Sequence, residues 1–434
     1  MGQPGHSAPP RQRGVRGTAF DVLMRAEAGQ YSNLALDAAL KKSGMGEADR
    51  ALTTAIVYGV LEKKLRLDYA LSALSSRPLS SLSPDVAVLL RMGLYQLCFL
   101  GRVPDHAAVN ETVALASRRT AGFVNAVLRE AIRRGKTLPL PPEEETADWL
   151  SVRYSVCPAL AERLLRDLGR EKTLAFLSAL EAPPPLTLRV NTLRTTRAEL
   201  LESLLAAGIE AKATAQSRSG IVLPAGAPVP ALPGFADGLF FVQDEASQLC
   251  VEALDARPGM RVLDVCACPG SKSFGLAMEM ENRGELLACD LHRSKLSLVA
   301  SGAARLGIDI LSVLERDARD PLPDWEEKAD RVLCDVPCSG FGVIGKKPEL
   351  RYKDPAASAG LPAVQAAILC RSAELLQRGG RLVYSTCTVL PAENGGTVAA
   401  FLRSRPDFRL VSERTFFPDT DGTDGFFIAV LERN

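Results

Sequence analysis

Histidine is scarce in this sequence, with three copies in 434 residues, and none of the ten cysteines forms a C-x-x-C pair. Because protein zinc sites are built mostly from such cysteine pairs and from histidine, we expect no metal site. Ten cysteines are also too few for a disulfide scaffold in a chain of this length. We therefore expect reduced thiols and a cytoplasmic protein.

Long apolar runs are also missing. No stretch approaches the 18 or so apolar residues that a membrane-spanning helix needs, so we expect no membrane partner. The first 17 residues are rich in glycine, proline and arginine and contain no apolar core, which excludes a secretory signal. We interpret residues 1–14 as a disordered basic tail.

The small formal charge of +1 hides an uneven distribution along the chain. Residues 1–136 carry 19 Lys and Arg against 11 Asp and Glu, a balance of +8, so the remainder carries −7. A basic first part is a weak pointer to a polyanionic partner such as nucleic acid. A charged surface that only keeps the protein soluble explains it equally well.

Helical periodicity dominates the first third of the sequence. Over residues 15–138 apolar side chains recur at spacings of three and four without strand signals, which predicts an all-helical domain. Residues 139–149 are rich in proline and acid and are interpreted as a linker.

The second part of the chain mixes helices and strands. Residues 150–182 predict two helices, and the segment to residue 235 adds short strands and a helix, giving a small α+β subdomain. From residue 236 to 434 strands and helices alternate regularly. That alternation predicts a mostly parallel sheet with helices on both faces.

A candidate cofactor loop follows the first strand of this last domain and opens a helix. Ligands of doubly wound sheets bind at such carboxyl ends. Gly270 lets the backbone approach a ligand, the helix start offers free N–H groups, and Lys272 adds charge. Asp290 and Asp317 end the next two strands, where they suit ribose hydroxyls and an adenine amino group. The loop is neither G-x-G-x-x-G nor a Walker loop, which argues against NAD and ATP. A glycine used only for packing is the alternative.

Two cysteines follow neighbouring predicted strands. Asp335 and Cys338 come after the fourth strand and Cys387 after the fifth, so all three should face the cofactor crevice. A thiolate can activate a poor carbon nucleophile by adding to the adjacent ring carbon, and a second thiol can assist release of the product. For a lone cysteine, a buried inert thiol is the usual alternative. We assign it to Cys98, Cys157, Cys250, Cys289, Cys334 and Cys370.

Several sequence blocks are specific enough to indicate a family. The runs DVCACPGSKS, DVPCSGFGVIGKKPELRYKDP and YSTCTVLPAEN resemble the RNA 5-methylcytosine methyltransferase family. The N-terminal runs DRALTTAIVYGVLEKK and RMGLYQLCFL resemble the antitermination factor NusB. The fusion of both is similar to RsmB/Sun-type bacterial 16S rRNA (cytosine-C5) methyltransferases, over about residues 15–434.

The resemblance implies a fold of three parts. These are an all-α NusB-like RNA-binding domain at 15–138, a ferredoxin-like RNA-binding subdomain at 150–235, and a Rossmann-like, seven-stranded methyltransferase domain at 236–434. It also implies transfer of a methyl group from S-adenosyl-L-methionine to carbon 5 of an RNA cytosine, with 16S rRNA as the expected substrate. The target base must be unpaired or flipped out of a duplex. We expect a monomer.

The resemblance also assigns roles to residues. Cys387 matches the nucleophile that adds to carbon 6, Cys338 the cysteine that assists release, and Asp335 an acid beside both cofactor and base. The implied cofactor-binding residues are Cys266, Ala267, Cys268, Pro269, Gly270, Ser271, Lys272, Asp290, Asp317 and Asp335. The chain departs from the family pattern at Cys268, Ser271, Phe341 and Glu349, which affects details of the base pocket rather than the reaction.

Basic residues offer candidate phosphate contacts, and each has a solvated surface role as its alternative. They are Arg11, Arg13, Arg16, Arg118, Arg119, Arg133, Arg134 and, with Tyr352 as a stacking candidate, Arg351 and Lys353. Two other functions stay open: methylation of an exocyclic amine, and an RNA-binding scaffold without catalysis. No catalytic role is assigned to His106 or His292.

Overall fold

The described residues of this computed structural model are 14–144 and 146–434. The predicted basic tail lies outside them except for Gly14, and so do Arg11 and Arg13. The described chain divides into two compact units. One comprises the residues up to Leu165 together with Lys347–Asp354, and the other comprises Arg166–Lys346 and Pro355–Asn434.

Helices account for the chain before its first strand, as predicted for residues 15–138. They are α1 (Val15–Glu27), α2 (Ser32–Ser43), α3 (Glu47–Glu62), α4 (Lys64–Leu74), α5 (Pro84–Phe99), α6 (Asp105–Val113), α7 (Ala121–Arg133), α8 (Ala147–Tyr154), α9 (Pro158–Leu168) and α10 (Arg170–Ala179). Among the described helices of the chain, none is both long and apolar enough to cross a membrane.

Helix α5 is the centre of the first unit. Its buried side chains contribute to two apolar clusters, because Leu89 packs with α4 and α7 whereas Val88 packs with α1 and α3. A helix that is apolar on most of its circumference is stable only when neighbours cover it on several sides. Packing around α5 therefore organises this unit.

Residues 147–182 hold three helices, whereas the sequence predicted two helices over residues 150–182, and α8 begins inside the predicted linker 139–149. Helix α8 ends at Ser155 with φ 55°, and α9 is separated from α10 by Gly169 with φ 77°. Ser155 adopts the left-handed helical region, and Gly169 adopts an extended conformation with positive φ that favours glycine. Neither conformation continues a right-handed helix. The apolar periodicity continues through Gly169, which explains why the sequence pattern did not resolve the break.

A small antiparallel sheet follows. Its strands are β1 (Leu186–Val190), β2 (Lys212–Ala213), β3 (Gly220–Leu223) and β4 (Phe240–Val242), in the order β2-β3-β1-β4. Helix α11 (Arg197–Ala206) packs Leu200 and Leu204 against this sheet. Thr196 and Glu199 form a reciprocal capping box that fixes where α11 begins.

A larger sheet forms the rest of the second unit. Its strands and helices are α12 (Glu245–Leu254), β5 (Arg261–Asp264), α13 (Ser271–Glu279), β6 (Glu285–Asp290), α14 (Arg293–Leu306), β7 (Leu311–Glu315), β8 (Ala329–Asp335), α15 (Leu361–Leu375), β9 (Leu376–Thr386), α16 (Gly395–Ser404), β10 (Phe408–Phe416), α17 (Pro418–Asp421) and β11 (Phe426–Arg433). Across residues 14–144 and 146–434 the sheet has seven strands in the order β10-β11-β9-β8-β5-β6-β7.

The larger sheet is parallel from β9 to β7, and β11 pairs antiparallel with both β9 and β10. Alternate strand residues face opposite apolar clusters: Val262 belongs to one and Leu263 to the other. This arrangement confirms the predicted seven-stranded, mostly parallel architecture. Because the order reverses at β5, a crevice opens at the carboxyl ends of β5 and β8.

Close packing between α5 and α7 gives a stability prediction. A Cβ added at Gly93 would lie 2.5 and 2.7 Å from the two terminal methyl groups of the fully buried Leu128. We expect Gly93→Ala to lower the free energy of unfolding by about 1–3 kcal/mol. The measurement is urea unfolding of the full chain, followed by Trp149 fluorescence in a Trp325→Phe background.

Gly122→Ala is the matched control for this substitution. Gly122 lies on α7 with open space around the added Cβ. The greater helix propensity of alanine should leave this variant as stable as the parent or up to about 1 kcal/mol more stable. Equal stability of the two variants would contradict the packing described for α5 and α7.

Candidate active site

Parallel pairing of β8 with β9 builds the centre of the site. Asp335 at the end of β8 lies opposite Ser385 on β9, and the Ser385 hydroxyl donates a 2.7 Å hydrogen bond to Asp335 Oδ1. The loops that leave these two strands carry Cys338 and Cys387. Strands in register therefore bring together two segments that are 49 residues apart in sequence.

The two thiols are in direct contact. Cys338 Sγ lies 3.0 Å from Cys387 Sγ and accepts a 3.3 Å hydrogen bond from the Cys387 backbone N–H. The hydrogen bond to Cys387, followed by burial, raises the pKa of Cys338 well above its ordinary value. Cys338 is therefore a protonated thiol at neutral pH that can donate to a thiolate at Cys387.

Lys272 provides the positive charge of the site. Its Nζ lies 2.6 Å from Asp335 Oδ2. Burial is the largest single influence and lowers the pKa of Lys272, but the charge and hydrogen bond of Asp335, together with smaller contributions from Cys250 and Cys387, raise this pKa overall. Because the coupling between two charges is mutual, the ammonium favours a thiolate at Cys387. The sequence assigned Lys272 only to the cofactor loop, and its pairing with Asp335 emerges from the fold.

A cavity of about 480 Å³ opens beside these groups. Its walls include seven of the residues that the sequence proposed for the site. They are Cys266, Cys268, Asp290, Asp317, Asp335, Cys338 and Cys387. A volume of this size suits a ligand of drug-like or cofactor size.

The other proposed residues of the loop have different positions. Ser271 borders a separate cavity, and Lys272 faces Asp335. Gly270 has φ 110°, and a Cβ there would lie 2.6 Å from the Phe274 ring, so the turn requires glycine. Ala267 and Pro269 belong to the same turn, in which the Gly270 N–H donates to Ala267 O.

Two carboxylates occupy the end of the cavity away from the thiols. Asp290 accepts hydrogen bonds from the backbone N–H groups of Cys268, at 3.1 Å, and His292, at 3.0 Å. Asp317 pairs with Arg319, whose side-chain hydrogen bond lowers the pKa of Asp317 to about 2. Asp317 is therefore charged at neutral pH. Asp290 is oriented by two fixed backbone donors, and both acids can accept hydrogen bonds from a ligand.

Burial determines the state of the two loop cysteines. It raises the pKa of Cys268 to about 12 and that of Cys266 well above its ordinary value. Both therefore stay protonated at neutral pH, which favours packing over reactivity. Burial also raises the pKa of Cys250, Cys289 and Cys334 to about 12, in keeping with inert thiols.

The structure adds wall residues that the sequence did not single out. His292, to which no role was assigned, lines the cavity together with Lys295 and Arg316. Asp264, at the end of β5, does not line the cavity; it is buried and accepts a 2.6 Å hydrogen bond from Ser273. The sequence could have indicated these residues, because each lies at the end of a strand or shortly after one.

The segment after the Pro-Cys block is packed rather than solvated. Arg351 is 3% exposed and donates to the Tyr154 carbonyl, and Tyr352 donates through its hydroxyl to Leu61 O. Arg351 is therefore a buried structural residue of the first unit, which corrects both the RNA contact and the solvated turn considered for it. Tyr352 is half-buried, and its hydroxyl is held by a backbone carbonyl of the same unit. The guanidinium of Arg16, another candidate phosphate contact, forms an ion pair with the Glu111 carboxylate at 2.6 Å.

Comparison of the sequence with known proteins identifies the family of this chain. The chain is 37% identical to the probable ribosomal RNA small subunit methyltransferase B of Bacillus subtilis, over 98% of this chain and 99% of the relative. The family described as 16S rRNA methyltransferase RsmB/F matches residues 251–432. The chain belongs to the RsmB/F family of rRNA methyltransferases.

Other comparisons extend this RsmB/F assignment to the whole chain. The NusB family matches residues 13–133, and the RsmF/B-like ferredoxin-like domain matches residues 159–230. Ribosomal RNA small subunit methyltransferase B of Pseudomonas putida is 36% identical over 92% of this chain and 93% of its own. A crystal structure described as that of PH0851 superposes with a TM-score of 0.82 at 27% identity, covering 98% of this chain and 99% of that one. The predicted family and fold class are thereby confirmed.

Buried Asp264 gives a prediction for pH. Burial raises its pKa to about 7, although the Ser273 hydrogen bond opposes the shift. An acid with a raised pKa in the folded state contributes stability that is fully present below its unfolded pKa of about 4 and is lost as the pH rises to about 7. Asp264→Asn should therefore stabilise the protein by about 1–4 kcal/mol at pH 8 and not at pH 4.

Urea unfolding at both pH values, followed by Trp325 fluorescence in a Trp149→Phe background, measures this difference. Comparing variant with parent at each pH cancels the contributions of other titrating groups. A gain from Asp264→Asn that is the same at pH 4 and pH 8 would show that Asp264 does not titrate between them.

Proposed function

We propose that this RsmB/F family member transfers a methyl group from S-adenosyl-L-methionine to carbon 5 of a cytosine in 16S rRNA, through a covalent bond between Cys387 and carbon 6. The observation that carries the proposal is the contact of two thiols, 3.0 Å apart, in the wall of a cavity that also presents Asp335. Relatives named ribosomal RNA small subunit methyltransferase B support ribosomal RNA as the substrate.

The chemistry of the cavity wall fits S-adenosyl-L-methionine. Asp290, Asp317 and Asp335 present three carboxylates to a space of about 480 Å³. Carboxylates suit ribose hydroxyls, an adenine amino group and a cationic methionine portion, which are the groups this cofactor carries. The bound cofactor supplies an electrophilic methyl group on a positively charged sulfur.

Cys387 begins the reaction as a nucleophile. Its thiolate adds to carbon 6 of the cytosine, so the ring electrons move to carbon 5 and make that carbon nucleophilic. Lys272 and the protonated thiol of Cys338 both favour the thiolate before attack. Asp335, held by Ser385 and Lys272, accepts a hydrogen bond from the edge of the base in this proposal.

Release of the product needs a proton to leave carbon 5 before the Cys387–carbon 6 bond breaks. Once Cys387 is bonded to carbon 6, its thiolate no longer accepts the hydrogen of Cys338, and Cys338 can lose its own proton to solvent. The Cys338 thiolate then takes the proton from carbon 5, directly or through a water molecule, and the electron pair of that C–H bond re-forms the ring double bond as the bond to Cys387 breaks. The departing Cys387 then regenerates the free thiolate. Each cysteine has one role, and losing either should stop the cycle at a different point.

Replacing the nucleophile should stop methyl transfer. We expect Cys387→Ala to lower the rate by at least about 10³-fold, since no other residue can take over the covalent step. The assay follows transfer of a tritiated methyl group to 16S rRNA isolated from a strain that lacks the enzyme. Nucleoside mass spectrometry of the wild-type product should identify 5-methylcytosine, and methylation of an exocyclic amine would refute the mechanism.

Cys370→Ala is the matched control for the nucleophile. Cys370 lies on α15, is partly exposed and does not line the cavity wall. The Cys370→Ala variant should methylate 16S rRNA at the wild-type rate.

Replacing the second cysteine should trap the covalent intermediate. We expect Cys338→Ala, mixed with 16S rRNA and S-adenosyl-L-methionine, to form an RNA–protein adduct that survives denaturing electrophoresis, because carbon 5 is methylated but the bond to Cys387 cannot be released. The double variant Cys338→Ala/Cys387→Ala should form none. An adduct in the double variant, or none in the single variant, would show that the roles are assigned wrongly.

A further inference from the structure

A buried dipeptide, Glu393-Asn394, links the two cysteine loops. It follows Cys387 in sequence and directly precedes α16. Glu393 is 3% exposed and Asn394 is 2% exposed, and neither lines the cavity. Buried polar groups are stable only when hydrogen-bonded, so the partners of these side chains show what the dipeptide does.

Glu393 holds the loop of Cys338. Its Oε2 accepts hydrogen bonds from the Ser339 backbone N–H at 2.9 Å and from Gln365 Nε2 at 2.8 Å. The same Gln365 nitrogen donates to Pro337 O at 3.0 Å. The backbone groups on both sides of Cys338 are thus fixed, one directly and one through Gln365.

Asn394 holds the loop of Cys387 in the same manner. Its Oδ1 accepts a 2.6 Å hydrogen bond from the Thr386 hydroxyl, and its Nδ2 donates to Thr388 O at 3.0 Å. These partners lie on either side of Cys387. A hydrogen bond of 2.8 Å between the Ser339 and Thr388 hydroxyls ties the two loops to each other.

We propose that Glu393 and Asn394 are positioning residues that together set the distance between the sulfurs of Cys338 and Cys387. Two adjacent residues of one rigid segment hold one loop each, so the loops cannot move apart without breaking charge-assisted or amide hydrogen bonds in a dry environment. This role rests on the proposed function, because the distance between the two sulfurs affects the reaction only if both thiols act on the same base. A misplacement of about 1 Å can cost about 10²-fold in rate.

The test combines methyl transfer with a separate measure of thiol proximity. Diamide oxidises two neighbouring thiols to a disulfide: both sulfurs lose a proton and an electron, and the diazene is reduced to a hydrazine. Peptide mass spectrometry then measures how fast the Cys338–Cys387 link forms. Calorimetry measures the affinity for S-adenosyl-L-methionine, which positioning of the thiols should leave within about twofold.

Glu393→Ala should slow both methyl transfer and Cys338–Cys387 disulfide formation by about 10–100-fold. Glu393→Gln should recover most of both rates, because an amide oxygen can still accept from Ser339 and Gln365. Asn394→Ala should slow both rates in the same way as Glu393→Ala, and it tests the proposal if Glu393→Ala does not fold. This substitution removes no helix cap, because the Asn394 side chain does not cap α16.

Val398→Ala is the control for stability. Val398 lies on α16, is 1% exposed and packs in a large apolar cluster, so its truncation should destabilise the protein without altering either rate at temperatures where it is folded. The proposal would be overturned if Glu393→Ala formed the Cys338–Cys387 disulfide at the wild-type rate, or if Glu393→Gln did not restore that rate. If the wild type does not methylate carbon 5, the proposed function fails, while the disulfide rates still decide whether the dipeptide positions the thiols.

Discussion

The parallel pairing of β8 with β9 is the constraint on which the site depends. Asp335 lies opposite Ser385 in this pairing, and the next residues of each strand turn into the loops that carry the two cysteines. A slip of one residue would send Asp335 to the opposite face of the sheet and separate it from Lys272. The apolar residues of both strands face the two large clusters that stabilise this domain, so the packing that folds the domain also fixes the register of the site.

One cation in the site, Lys272, interacts favourably with several acidic groups. Lys272 pairs with Asp335, and it also opposes the raised pKa of Asp264. Removing one partner of such a buried pair leaves an uncompensated charge, which is strongly destabilising. The pairing therefore keeps the ammonium in place near Cys387, where it can favour a thiolate.

The chain between the Pro-Cys block and α15 serves two parts of the fold. Residues up to Lys346 belong to the second unit, and residues Lys347–Asp354 belong to the first. Arg351 and Tyr352 form hydrogen bonds with backbone carbonyls of the first unit, and burial raises the pKa of Tyr352 to about 12. The charged and aromatic character of this segment left an RNA contact and a solvated turn equally open, but the side chains of Arg351 and Tyr352 are instead bonded to the helical part of the first unit.

The sequence by itself determined the helical first domain, the alternating order of the last one, and the strand ends at which Asp290, Asp335, Cys338 and Cys387 would stand, because period and strand order follow from local patterns. Only the tertiary structure decided the contact of the two sulfurs, the pairing of Lys272 with Asp335, and the burial of Arg351, Glu393 and Asn394. These depend on strand register and on side chains that lie far apart in the chain, and no local pattern encodes which buried polar group will meet which partner.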